Sequence, residues 1–145
     1  MRSILSVLLL LLCLSGCAGS GRSNYKPQNL STENAAILID DLAATIAANT
    51  PAKSTVFEIE SDSLSSAIGE VLKKKGYAVV LAAPHAQPGE STTAKQLNYT
   101  VDWLSQDSLY ATVIVDKDRY SRTYSVASGK LTPKGGPMVG VTSHE

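Results

Sequence analysis

The tetrad Leu14-Ser15-Gly16-Cys17 constrains this chain most, because it removes material from the fold. Arg2 precedes an apolar run from Ile4 to Leu14, roughly 11 residues, the layout of a signal peptide's cationic and hydrophobic regions. That run is too short to cross about 30 Å of hydrocarbon as a helix, and Gly16 interrupts it. An ordinary secretory signal ends in a small residue and has no use for a cysteine. Small residues followed by Cys17 read instead as a lipobox, with cleavage before the cysteine and a diacylglyceryl group on its sulfur. Residues 1–16 are therefore expected to leave as a signal peptide, taking Cys13 with them. Cys17 is expected to be capped as a thioether. Neither of the 2 cysteines then remains for a disulfide, although an exported protein is free to form one. What folds has to be held by an ordinary apolar core.

The lipid reading carries expectations about place. Diacylglycerol and an N-acyl chain on Cys17 would anchor firmly, since each buried methylene contributes about 0.8 kcal/mol. Ala18, rather than an aspartate, follows the cysteine. Under the sorting rule for such lipoproteins, this predicts the periplasmic face of the outer membrane. The 13 basic and 13 acidic residues cancel and are scattered, so no basic stripe offers itself to phosphates. Nucleic acid is not an expected partner.

Composition divides the rest. Residues 17–30 are rich in Gly, Ser and Asn and poor in apolar side chains, and are read as a lipidated flexible tether. Residues 31–127 carry the periodic patterns of one domain. Ala35, Leu38, Ile39, Leu42 and Ile46 recur at helical spacing over Thr32–Ala48, capped by Ser31 or Thr32, with Glu33, Asp40 and Asp41 placed off the stripe. A short strand over Thr55–Ile59 follows. Leu64, Ala67, Ile68, Val71 and Leu72 then mark a second helix, capped by Ser61 or Asp62 and closed by Lys73-Lys74-Lys75-Gly76. Tyr77–Leu81 reads as a strand and 82–93 as a loop. Leu97–Trp103, Leu109–Val115 and Arg119–Val126 alternate as strands separated by Asp-rich turns. The expected fold is α+β: a small single domain of two helices packed on a mainly antiparallel sheet, in the order αβαβ and then a three-stranded meander. Residues 128–145 form a Gly/Pro-rich tail that either adds an edge strand near Met138–Val141 or stays mobile until a partner docks.

Chemistry is hard to find. His85 and His144 stand alone, so no metal site is expected. Asp107, Asp116 and Asp118 fall at predicted turns, where aspartate caps backbone amides. Neither a nucleophile elbow nor a phosphate-binding glycine loop occurs, and Ser23-x-x-Lys26 lies in the tether. The chain reads as a non-enzyme without cofactor or small-molecule substrate. Most aromatic residues of the meander suit cross-strand packing. Tyr110 is the exception, facing opposite to Leu109, Val113 and Val115. With Thr112 and Ile114 it offers a partner surface. Arg122 and Tyr124, on a last strand open to strand addition, extend that candidate surface.

Four features together resemble the TrbH family of conjugal-transfer proteins. They are the lipobox Leu14–Cys17, the junction Lys75-Gly76-Tyr77-x-Val79, the Trp103 strand, and Arg122-x-Tyr124-x-x-x-x-Gly129-x-Leu131-x-Pro133. The resemblance implies an outer-membrane lipoprotein of a type IV secretion (mating-pair formation) apparatus. Cys17 would be its lipid site and other channel subunits its partners, in a hetero-oligomeric ring, with no catalytic residue to carry over. The alternative is an accessory periplasmic lipoprotein that activates an envelope enzyme such as a peptidoglycan synthase.

Overall fold

A computed structural model describes residues 24, 27, 29–83 and 93–141. The lipobox, most of the expected tether and most of the 82–93 loop lie outside these residues. Helix α1 spans Thr32–Asn49, with the Ser31 side chain accepting a bond from the Asn34 amide at its start. This satisfies one of the N–H groups a helix leaves without an internal partner. Strand β1 is Val56–Glu60 and helix α2 is Ser63–Lys74. Asp62 caps α2 in a reciprocal box: its carboxylate takes the Leu64 and Ser65 amides while the Ser65 hydroxyl takes the Asp62 amide. Lys73 and Lys74 sit in its last turn, matching the helix dipole, and Gly76 follows at φ +92°.

Strands β2 (Ala78–Ala82), β3 (Ala94–Ser105), β4 (Ser108–Val115), β5 (Asp118–Ala127) and β6 (Lys130–Val141) complete one sheet, ordered β2-β1-β3-β4-β5-β6. β1 runs parallel to both its neighbours, and the other three pairings are antiparallel. The fold is the α+β single domain read from the sequence. Both helices bury their apolar stripes against one face of this sheet. Leu38, Leu42 and Ile46 of α1 and Ile68 and Leu72 of α2 join Phe57, Ile59, Leu97, Tyr99, Val101, Leu109, Val113 and Tyr124 in one core cluster. Removing such side chains from water at about 25 cal/mol per Å² is the principal favourable contribution to folding. Gly69 is where α2 presses closest on β2: a Cβ there would stand 3.2 Å from Val79 Cγ1.

The meander has four strands where three were expected. Ser128 (φ +52°) and Gly129 (φ +78°) form a two-residue turn with both positions left-handed, the geometry that matches the twist of a hairpin. Lys130–Val141 then pairs along β5, and Leu131 enters the core at 1% exposure. The glycines and prolines that made this stretch look like a tail are tolerated because β6 is an edge. A proline there removes a donor that faces no neighbouring strand. The register slips between Ser121 and Thr123, whose partners are Met138 and Lys134, so Gly135-Gly136-Pro137 bulges opposite Arg122. β5 is therefore an interior strand, not the open edge anticipated for strand addition.

Candidate functional site

Tyr110, Thr112 and Ile114 share one side of β4, as the two-residue period requires. It is the side away from the core residues Leu109, Ala111, Val113 and Val115. Cross-strand register places Asp102 and Thr123 beside Tyr110, Thr100 and Ser121 beside Thr112, and Asn98 and Arg119 beside Ile114. The face is thus largely polar and rich in hydroxyls. Thr112 and Ser121 share a hydrogen bond of 3.1 Å and are themselves buried, while Tyr110 and Ile114 are half-buried. Burial opposes ionisation of the Tyr110 phenol. Hydrogen bonds from Ser121 and Thr112 and the nearby charge of Arg119 outweigh it and bring its pKa below the usual tyrosine value.

Arg122 and Tyr124 do not belong to that surface. Their register partners are Ala111 and Leu109, which puts them on the helix side of the sheet. Tyr124 is fully buried, and its hydroxyl donates to Asp41 Oδ2 at 2.6 Å. Arg122 Nη1 holds Asp41 Oδ1 at 2.5 Å, and its Nε donates to the Gly135 carbonyl at 2.9 Å. Asp41 therefore faces β5, not solvent as the stripe had implied. The three side chains fasten α1 to the sheet and fix the β6 bulge. Burial and the Asp41 carboxylate both push the Tyr124 pKa well above its usual value.

A second aspartate–tyrosine pair lies across the core. The Tyr99 hydroxyl donates to the Asp62 carboxylate at 2.6 Å. Burial raises the pKa of the Asp62 carboxyl, but bonds from Tyr99, Ser65 and Leu64 overcome this and hold it below 3.8. Asn34 makes a third junction, donating to the Gly129 carbonyl (3.0 Å) and accepting from the Leu131 amide (2.8 Å). The Arg122…Pro133 stretch behind the family resemblance thus contains the residues that join α1 to the β5–β6 hairpin. The Lys75–Val79 junction is equally architectural: Gly76 takes the left-handed turn, and Tyr77 donates to the Thr50 carbonyl at 2.6 Å.

The described end of the expected tether touches the domain. Asn24 bridges the end of β1 and the middle of β3, donating to the Glu60 carbonyl (3.1 Å) and accepting from the Tyr99 amide (3.0 Å). Pro27 is buried, and Asn29 accepts from the Trp103 indole at 2.7 Å. Asp116 takes the Gln96 amide (3.0 Å) of β3 from its turn, a longer-range bond than the local turn capping expected of it. Among the described residues, no group of three or more His, Cys, Asp or Glu side chains is placed to hold a metal ion, and no buried side-chain polar atom lacks a partner.

These features define a small α+β domain in which Asp41, Asp62 and Arg122 serve the architecture, and whose sheet face away from the described helices is largely polar, with Asp102 and Arg119 on it. The family model described as conjugal transfer protein TrbH matches residues 18–142. The chain belongs to that family, and its role lies in conjugal transfer. No curated protein and no solved structure matches it.

Proposed function

We propose that this protein is a lipid-anchored scaffold component of the conjugal-transfer apparatus. In this reading it is held by Cys17 on the periplasmic face of the outer membrane and joined to other secretion-channel subunits in a ring. The uncovered face of the sheet carries the scaffold part of the reading. No described helix packs on the Tyr110, Thr112 and Ile114 side, and both edge strands expose large apolar residues. These are Val80 and Leu81 on β2, and Met138, Val139 and Val141 on β6. Unprotected edges of this kind recruit another chain through backbone pairing. The lipobox supports the anchoring. The family match begins one residue after Cys17, so the shared part of the chain starts where the leader would end. An accessory lipoprotein that activates a cell-wall enzyme is the competing reading, and membership in a transfer family weighs against it.

The test is photocrosslinking from Tyr110, Ile114 and Met138 in envelopes of the native host, with the wild type and Cys17→Ser compared. Channel subunits should be captured by the wild type, while Cys17→Ser should lose palmitate labelling, accumulate as the larger precursor and capture little. Capture of a peptidoglycan synthase instead, or normal labelling of Cys17→Ser, would overturn the corresponding half of the proposal.

A further inference from the structure

An open cleft of about 570 Å³ lies where α1 begins, between the β3–β4 turn and the β5–β6 turn. Asn29, Ser31, Trp103, Ser105, Gln106 and Val126 are among the residues that line it, and none of its described lining side chains carries a charge. We propose that this cleft binds a neutral oligosaccharide, with one sugar ring stacked on the Trp103 indole. This goes beyond the role in transfer and does not depend on it.

The argument starts from the tryptophan. Trp103 has helix-side parity on β3, opposite Leu109, but it stands near the strand's end and remains half-exposed. Its Nε1–H is held by Asn29 Oδ1 at 2.7 Å. That bond occupies the polar edge of the ring, which leaves its aromatic carbons to meet a ligand in the cleft. Such a surface is electron-rich and attracts the slightly positive C–H groups on the face of a pyranose.

The remaining lining groups are amides and hydroxyls, from Asn29, Gln106, Ser31 and Ser105. Amides and hydroxyls donate and accept alike, and so match the ring of hydroxyls around a sugar. Asn34 differs from these because both ends of its amide already hold the β5–β6 hairpin, which makes the cleft wall rigid.

Other ligand classes fit less well. An anion would meet no cationic side chain among the described lining residues. A lipid tail or apolar peptide side chain would find only Trp103 and Val126 as sizeable apolar contacts among the described lining residues. A neutral ring with one apolar face and a polar rim satisfies both kinds of wall. The volume falls within the range of small-molecule sites, roughly 300–1,000 Å³.

Trp103 is the only tryptophan of the chain, so its fluorescence reports the site directly. The full chain in detergent micelles should be titrated with cellotetraose and with chitotetraose, and with a sulfated heparin tetrasaccharide for comparison. A saturable shift of emission is expected with at least one neutral sugar, with a dissociation constant on the order of 1 mM. A response to chitotetraose alone would narrow the ligand to acetamido sugars, and a response to both would extend it to neutral β-linked glycans. By calorimetry, Trp103→Ala should weaken binding tenfold or more, and Gln106→Ala about threefold. Trp103→Phe, which keeps a ring, should retain part of the affinity and guards against simple misfolding. No saturable response to either neutral sugar up to about 10 mM, equal or tighter binding of the heparin fragment, or undiminished binding by a folded Trp103→Ala would each overturn the proposal.

Discussion

Tyr99 with Asp62 and Tyr124 with Asp41 are the same chemical pair used at two places in one core, each with a phenol 2.6 Å from a carboxylate. They differ in what else the aspartate does. Asp62 is the cap of α2 and takes two backbone amides within three residues of itself, so most of its partners come from its own turn. Asp41 sits in the interior of α1, where backbone donors are already used, and depends on Arg122, 81 residues away. A locally supported carboxylate survives the loss of one long-range partner. One supported only by tertiary contacts leaves a half-buried cation without its counter-charge when it is removed. The two sites should therefore respond unequally to the same substitution.

The largest effect is expected at Asp41. Asp41→Ala leaves the Arg122 side chain, 20% exposed, without its carboxylate, and Tyr124 without an acceptor. Loss of the counter-charge and of the phenol's acceptor in so enclosed a place costs about 2–3 kcal/mol, readable as a lower urea midpoint. Replacing both partners with apolar residues, Asp41→Leu with Arg122→Met, should recover much of the loss. If the double variant is as unstable as the single one, the cost comes from packing and not from the orphaned charge.

Asp62→Ala should cost less, about 1–2 kcal/mol, the range for a lost N-cap. Its distinguishing mark is acid dependence. Because the folded-state pKa of Asp62 lies below 3.8, its stabilisation is present above that value and is lost as pH falls through the folded pKa. Urea midpoints of the wild type should drop below about pH 4, and Asp62→Asn, which keeps a capping oxygen, should flatten that drop. An unchanged acid profile would mean that other carboxylates control it.

The smallest and sharpest contrast is Tyr99→Phe against Tyr124→Phe. Each removes one bond to a carboxylate and costs about 1–1.5 kcal/mol. Both phenols have raised pKa values in the fold, so stability should fall as pH rises above about 10, and each phenylalanine variant should lessen that fall. Equal losses at neutral pH would show that the local amides around Asp62 do not compensate for a missing tyrosine. A smaller loss at Tyr99 would confirm that they do.

The two sites also mark what could be read in advance. Asp62 was legible because a cap followed by an apolar stripe is a local pattern, as are Ser31 before α1 and Gly76 after α2. Asp41 was not: its polar character set it off the stripe, and only the register Tyr124–Leu109 and Arg122–Ala111 shows that the sheet meets it there. The β5–β6 hairpin does carry a local signal. Ser128-Gly129 separates two runs of strand-forming residues by two positions, but the glycines and prolines after it mask the second run, since they are poor strand formers away from an edge. The Tyr110, Thr112 and Ile114 side of the candidate surface needed only the two-residue period. Arg122 and Tyr124 were grouped with it because strand phase across a turn depends on register, which the pattern alone leaves open.

By itself the sequence determined the lipobox pattern, the two helices with their caps, the alternating strands and the family. These rest on neighbours a few residues apart, where side-chain type and backbone preference act directly. The tertiary structure decided that β1 runs parallel to both its neighbours and that the apparent tail is the sixth strand. It also decided that Asp41 is packed, half-buried, against Arg122 and Tyr124, and that Trp103 borders a cleft whose described lining is uncharged. Each of these depends on which distant segment arrives beside which, and on the apolar burial that makes one such arrangement the most stable.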